Sequence, residues 1–266
     1  IYLDSAFRPT GTSKMAELAV AAARQVVPIE IVTAPISQAD LPQVEAVLTA
    51  LSQAGAEGST EHIAYGFGLH LNVALADPDN GMDLPNGALA FAILEPWLRA
   101  RDPLNISRRT LPFTAPFPPG FADALSVEGP DLAQDRLWDL IDAYILDRNH
   151  GLDLLPAYAH LAPERFAKWS GSRDAVSARP AYHYRAPETR LRVQGWPLGY
   201  DWRRWLLVEQ VAADTALLSE LCKLRSDLRD RPLLPAPKTW QDRVTDILGP
   251  LAKLAPESGP EGGTDG

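Results

Sequence analysis

The segment Tyr65-Gly-Phe-Gly-Leu-His-Leu-Asn-Val73 constrains this chain more than any other stretch. From about Ile63 to Leu75, large apolar side chains take every second position (Tyr65, Phe67, Leu69, Leu71, Val73), with Gly66, Gly68, His70, Asn72 and Ala74 between them. A period of two marks a β-strand, whose successive side chains leave opposite faces of the sheet. One face is therefore core. The other sets glycines beside an imidazole and a carboxamide, which leaves room for a close approach to that side of the sheet. Spacing alone leaves two readings open for His70 and Asn72. Both satisfy backbone groups at a sheet edge, or both serve a ligand, holding a phosphate or polarising a carbonyl oxygen.

The rest of the chain alternates strands and helices. Ile1 to Asp4 reads as a short strand, about Met15 to Gln25 as an Ala-rich helix, and Val27 to Thr33 as a β-branched strand. Asp40 is placed to cap a helix that runs to about Ala54 and stops at Gly55. Asp77 to Gly87 is a turn-rich loop, Ala88 to Ala100 an apolar helix, and Arg101 to Pro130 a proline-dense surface crossing or lid. Leu132 to Lys168 is helical, broken near Gly151 and Pro163, with Leu137, Ile141, Tyr144 and Ile145 as one stripe. Tyr182 to Val193 returns to strand character, with a bulge or edge position at Pro187. One long helix covers about Asp201 to Leu228 and a last one about Trp240 to Leu254, before a Gly-, Pro- and acid-rich tail from Ala255 that is expected to be disordered.

With 266 residues and 46% hydrophobic composition, the chain can bury a substantial core, and one large domain is expected over residues 1–230, with a helical extension over 231–254. Its 25 Lys and Arg stand against 34 Asp and Glu, a net charge of -9 that repels a polyanion, so nucleic acid is not an expected partner. The single cysteine, Cys222, excludes an intrachain disulfide and a cysteine zinc site, and it fits a reducing compartment, so the cytoplasm is the expected location. No run of about 18 apolar residues occurs, and no membrane association is expected. Ile1 already lies in an apolar, strand-like stretch, so the chain is expected to be a fragment shortened at its start.

Three further groups could carry chemistry. Glu30 sits at the centre of its strand, as a surface glutamate or as an oxygen ligand for Mg²⁺. Glu188 and Arg190 share a face if Tyr182 to Val193 is one strand, as an ordinary ion pair or with Arg190 as a bidentate phosphate clamp. Arg148, Asn149 and His150 cluster at a break between helices, as a helix C-cap or as substrate contacts. His62, His160 and His183 read as surface or satisfied interior residues, and the tryptophans of Asp201-Trp-Arg-Arg-Trp205 as packing. There is no Gly-x-x-x-x-Gly-Lys loop, no Gly-x-Ser-x-Gly elbow and no His-Glu-x-x-His.

Three segments, Val27-Pro-Ile-Glu-Ile-Val-Thr-Ala-Pro-Ile36, Phe67-Gly-Leu-His-Leu-Asn-Val73 and Tyr182-His-Tyr-Arg-Ala-Pro-Glu-Thr-Arg-Leu191, together resemble the amidoligase family. That family is a bacterial branch of the carboxylate-amine ligases related to glutamine synthetase and glutamate-cysteine ligase. Leu146-Asp-Arg-Asn-His-Gly-Leu-Asp-Leu-Leu-Pro156 looks like the family's helical segment before the last strand, and the resemblance spans about Ile1 to Leu228. It implies an α+β fold, with a curved, mainly antiparallel sheet backed by helices as in the glutamine synthetase catalytic domain. It also implies that ATP with Mg²⁺ phosphorylates the carboxylate of a small amino acid or peptide, and that an amine then attacks the acyl phosphate to give an amide.

Carried over by position, Glu30 and Glu188 are metal ligands, and His70 and Asn72 lie at the nucleotide phosphates. Arg190 and His70 act on the transferring phosphoryl group, while Asp4, Arg148 and Asn149 are substrate contacts. Related ligases often pair subunits, which makes a homo-oligomer an expectation. The family's opening Gly-x-Glu-x-Glu strand has no counterpart here and is expected upstream of Ile1; without it the chain is expected to bind ATP and Mg²⁺ poorly. A non-catalytic binding protein that keeps the fold, and a metal-dependent amide hydrolase, are the alternatives.

Overall fold

The computed structural model describes residues 30–58, 68–105, 108–109, 114–173, 176–191, 193, 196–230 and 239–256. The expected strand at Ile1 to Asp4, the helix at Met15 to Gln25, the start of the Val27 to Thr33 strand, residues 63–67 of the alternating segment and the tail from residue 257 lie outside them. The chain divides into two compact units, Ile1–Gly68 with Glu188–Leu198, and Leu69–Pro187 with Gly199–Gly266.

In the first unit, Glu30 to Ser37 is irregular and exposed, so its described part is not the strand expected from the β-branched residues. A 3-10 turn at Gln38–Asp40 leads into helix α1 (Leu41–Gln53), close to the expected bounds. Pro42 sits in the first turn, where a missing N–H leaves no helix bond unmade. Asp40 stands at the cap position, yet its carboxylate accepts from Ser37 Oγ (2.7 Å) and Gln43 Nε2 (2.9 Å) rather than from a helix N–H. Gly55, at φ +84°, ends the helix in the left-handed region that glycine enters freely. Ser52 Oγ donates to the carbonyl of Leu191 at 2.6 Å, tying α1 to the unit's second segment.

The second unit is α+β. Three antiparallel strands lie in the order β1 (Leu71–Ala74), β3 (Ala181–Tyr184), β2 (Leu152–Asp153). Leu71 pairs with Tyr184 and Val73 with Tyr182, and on the other side Leu152 pairs with Tyr184, so one face carries only apolar and aromatic side chains. Helices α2 (Leu84–Arg101) and α7 (Leu198–Ala213) supply its cover. The Trp205 ring lies 4.9 Å from Tyr182 and 5.4 Å from Tyr184, and Phe91 packs edge-on to Tyr184 at 5.8 Å. Gly87 permits this contact, since a Cβ there would lie 2.1 Å from Tyr182 Oη.

Helix α2 is the centre of the helical layer. It packs against α3 (Pro119–Glu128), α4 (Gln134–Tyr144), α8 (Thr215–Asp230) and α9 (Trp240–Leu248). This explains why its sequence lacks a polar stripe: Leu84, Pro85, Gly87 to Glu95, Trp97 and Leu98 are all buried. The acid of this helix, Glu95, is buried and satisfied by Arg99 Nε (2.9 Å), Arg99 Nη2 (2.7 Å) and the N–H of Phe117 (2.8 Å). Helix α9 joins the same core through Trp97 Nε1, which donates to Thr245 Oγ1 at 2.9 Å. Among the described residues no helix is long and apolar enough to cross a membrane.

Several expected bounds are corrected. Helix α2 begins four residues before Ala88, because Pro85 suits a first turn. The Arg101 to Pro130 crossing contains α3, whose Phe121, Ala122 and Leu125 are buried on one stripe; two prolines at its start and Gly129 at its end hid the helix. The helical stretch from Leu132 is interrupted from Ile145, where α4 stops; the break holds strand β2, and helices α5 (Leu155–Leu161) and α6 (Pro163–Phe166) follow it. In its stripe Leu137, Ile141 and Ile145 are buried but Tyr144 is 40% exposed.

Strand β3 ends at Tyr184, so Glu188 and Arg190 are not on a strand and do not share a sheet face. The long helix from Asp201 is two helices, divided at Asp214, whose Oδ1 accepts the N–H of Leu217 at 3.0 Å and so starts α8. Helix α9 stops at Gly249 (φ +52°), and a 3-10 turn, Gly249–Leu254, follows. Ala255 is fully buried rather than part of a disordered tail.

Candidate functional site

The sheet face opposite the aromatic layer is polar, and register explains why. Asn72 on β1 pairs with His183 on β3, and His183 pairs with Asp153 on β2, so one rung crosses all three strands with a polar residue on each. His70, two residues before Asn72, sets its ring edge-on to His183, with centroids 5.2 Å apart at 78°. Period two places these side chains together: Leu71 and Val73 are half-buried against the core, while Asn72 and Ala74 are exposed.

Each member of the rung is held by neighbours. Asp153 is buried, and its Oδ1 accepts the N–H of Leu155 (3.1 Å) at the start of helix α5 (Leu155–Leu161). Its Oδ2 meets His183 Nδ1 at 3.1 Å and Arg148 Nε at 3.4 Å. Asn72 Oδ1 accepts from Arg179 Nε (3.0 Å) and Nη2 (2.7 Å), so with its oxygen engaged the exposed side chain can serve a ligand through its amide N–H groups. Arg185 Nη1 donates to the carbonyl of Arg148 at 2.6 Å. Arg108 is buried and donates to the carbonyls of Arg185 (2.6 Å), Ala186 (3.1 Å) and Pro187. Arg185 Nε is buried with no hydrogen-bond partner among the described residues.

Four arginines thus surround two imidazoles. Burial, with His183, Arg185, Arg108 and Arg148 adding their repulsion, lowers His70 to about 3. Burial also lowers His183, against the opposing pull of Asp153. Both rings are neutral at pH 7. The sign of the linkage follows, since the unfolded chain binds a proton at His70 near pH 6.5 that the folded chain refuses until about 3. His70 therefore costs no stability above pH 6.5 and an increasing amount as the pH drops towards 3. Urea midpoints measured across that window should decline less steeply in His70→Asn than in the wild type.

Of the residues singled out from the sequence, His70, Asn72 and Arg148 meet on this face. Asn149 lies beside it, with its carbonyl accepting from Ala115 N at 2.9 Å. The Arg148 to His150 cluster is not a helix cap, because α4 ends at Tyr144. Glu30, Glu188 and Arg190 belong to the first unit: Glu30 is exposed in an irregular segment, and Arg190 Nε lies 3.8 Å from Glu188 Oε2. Asp4 lies outside the described residues. Among the described residues no group of three or more His, Cys, Asp or Glu side chains is placed to hold a metal ion.

Sequence reasoning missed His183, Asp153, Arg108, Arg179 and Arg185. His183 and Arg185 carried a signal, since they alternate with the core residues Tyr182 and Tyr184 and so face away from the core. Asp153 carried none, on a strand of two residues. No curated protein and no solved structure matches the chain. The family model described as "Putative amidoligase enzyme" matches residues 1–207, the stretch that contains the whole polar rung and its arginines. The chain belongs to the amidoligase family.

Proposed function

We propose that the chain is an ATP-dependent carboxylate-amine ligase that works through an acyl phosphate, on a glutamine synthetase-like curved sheet. The observation that carries this reading is the Asn72–His183–Asp153 rung ringed by Arg108, Arg148, Arg179 and Arg185. Cations flanking neutral imidazoles and an exposed carboxamide favour an anion, and Arg185 Nε, without a partner among the described residues, is a donor suited to a phosphate or carboxylate oxygen. Phosphoryl transfer asks the protein mainly for positioning and charge stabilisation, which is what fixed arginines supply.

In this reading Asn72 donates to a phosphate oxygen, with Arg179 fixing its orientation, and His70 lines the same anion subsite. Arg148 and Asn149 are the substrate-side candidates. The described residues do not form a carboxylate nest for Mg²⁺. For Glu30 and Glu188 as its ligands, and Arg190 at the phosphoryl group, the resemblance is the support.

The test is ADP release at ATP and Mg²⁺ concentrations high enough to saturate a weak site, in the presence of each of the common amino acids with an amine. The wild type should release ADP only when both an acid and an amine are supplied. Asn72→Ala should lower that rate about 10²-fold, the usual loss of one charge-stabilising donor. Release no faster than the protein-free blank across the panel would sink the reading, and cleavage of an amide without nucleotide would assign the site to a hydrolase.

A further inference from the structure

We propose that His183, held by Asp153, is the general base that accepts the proton of the attacking amine. This rests on the ligase reading above. The pairing itself does not: His183 Nδ1 stands 3.1 Å from Asp153 Oδ2, and Asp153 already accepts the N–H of Leu155 through its other oxygen. Asp153 thus acts as an acceptor towards the ring, so the proton of neutral His183 sits on Nδ1 and the lone pair on Nε2. A buried carboxylate that fixes the tautomer of a neutral imidazole is the arrangement by which a histidine becomes an effective base.

Position adds to this. His183 is the direct cross-strand neighbour of Asn72, whose side chain is exposed, and facing side chains on such a pair have Cβ atoms about 4.5–5.5 Å apart. The rung therefore opens to solvent one strand away from the base. The groups facing His183 are Asp153 and Arg148 from the β2 side, His70 and Asn72 from the β1 side, and Arg179 and Arg185 from the two ends of its own strand. Asp153 stabilises the imidazolium when it forms, and the arginines favour early loss of its proton, so the base is reset after each turnover.

The step balances. The amine nitrogen bonds to the acyl carbon, the bond from that carbon to the phosphate oxygen breaks, and its electron pair leaves with inorganic phosphate. The amine arrives as its ammonium ion, so His183 Nε2 first takes one proton to free the nitrogen lone pair and returns it to solvent, and the second proton, made acidic when nitrogen bonds to the acyl carbon, leaves with the departing phosphate. No oxidant or reductant is involved.

Two measurements on the whole chain test this. In the first, ¹⁵N shifts of labelled histidines at pH 7 should show His183 as the Nδ1–H tautomer; the Nε2–H tautomer or an imidazolium would overturn the proposal without touching the ligase reading. The second uses the amino acid that supports ADP release and compares amide formed with ethylamine, which must lose a proton, against hydroxamate formed with hydroxylamine, which is largely unprotonated at pH 7. In His183→Gln the ratio of amide to hydroxamate should fall about 10²-fold or more, the size of a lost general base. An unchanged ratio, with both products reduced alike, means a purely structural role and refutes the base. If the wild type gives neither product, the ligase reading fails and the proposal falls with it, while the tautomer result still stands as a statement about the pair.

Discussion

Asp153→Ala is expected to lower the unfolding free energy by about 3–5 kcal/mol, the range for removing one partner of a buried charge pair. The carboxylate is buried and supports three groups at once: the Leu155 N–H that begins α5, the His183 ring and the Arg148 guanidinium. Alanine leaves those donors without it in a site already rich in positive charge. Because a domain of this size is typically stable by only about 5–15 kcal/mol, the loss is a large share of the total. Urea unfolding reads it as a lower midpoint at unchanged slope. Asp153→Asn, which keeps an oxygen for Leu155 N–H, should fall between alanine and the wild type. A midpoint for alanine within error of the wild type would mean that the rung is not a held network.

Trp205→Ala carries the other large effect, about 3–5 kcal/mol by the cost of emptying a buried aromatic site. Trp205 has no exposed surface, touches both core tyrosines of β3, and donates its indole N–H to Glu209 Oε1 at 2.7 Å. Removing it takes the floor from under the strand that carries His183 on its other side. The consequence should be double, a lower urea midpoint and a lower rate of ADP release at temperatures where the protein is still folded. Met82→Ala, at a position 76% exposed, should change stability by no more than about 0.5 kcal/mol. Equal midpoints in the two variants would contradict the packing account.

The sequence made one half of this site legible and concealed the other. Period two in Leu69 to Ala74 tells which side chains share a face, and the structure places Leu71 and Val73 inward and Asn72 outward as that period requires. Helix α1 was legible from local signals too, with Asp40 at its start and a glycine just past its end. Register was not legible. Asn72, His183 and Asp153 meet only because β1 and β2 both pair with β3, and His183 lies thirty residues from Asp153 in the chain. Local patterns do not encode which strands will pair across such distances.

Short elements failed for a different reason. A two-residue strand has no period, and α3 sits directly behind prolines that read as loop. The join between α7 and α8 is a single residue, Asp214, whose side chain begins a new helix in the middle of a continuous apolar pattern. Strand β3 was read too long because the β-favouring Thr189 and Val193 lie beyond Pro187, although Leu71, at the end of β1, pairs with Tyr184 and leaves no β1 residue to pair further. Of the arginines around the rung Arg148 alone was singled out, and Arg108, Arg179 and Arg185 were passed over. Only the fold shows that Arg108, Arg148, Arg179 and Arg185 surround one rung.

The most direct test of the acyl-phosphate claim follows the oxygen atoms. With the amino acid that supports ADP release labelled with ¹⁸O in its carboxylate, the account predicts that each phosphate released carries one ¹⁸O atom, because the carbon–oxygen bond to the phosphoryl group breaks when the amine attacks. Phosphate free of label, with ADP still formed, would mean that ATP is spent without activating the carboxylate, and would contradict the account.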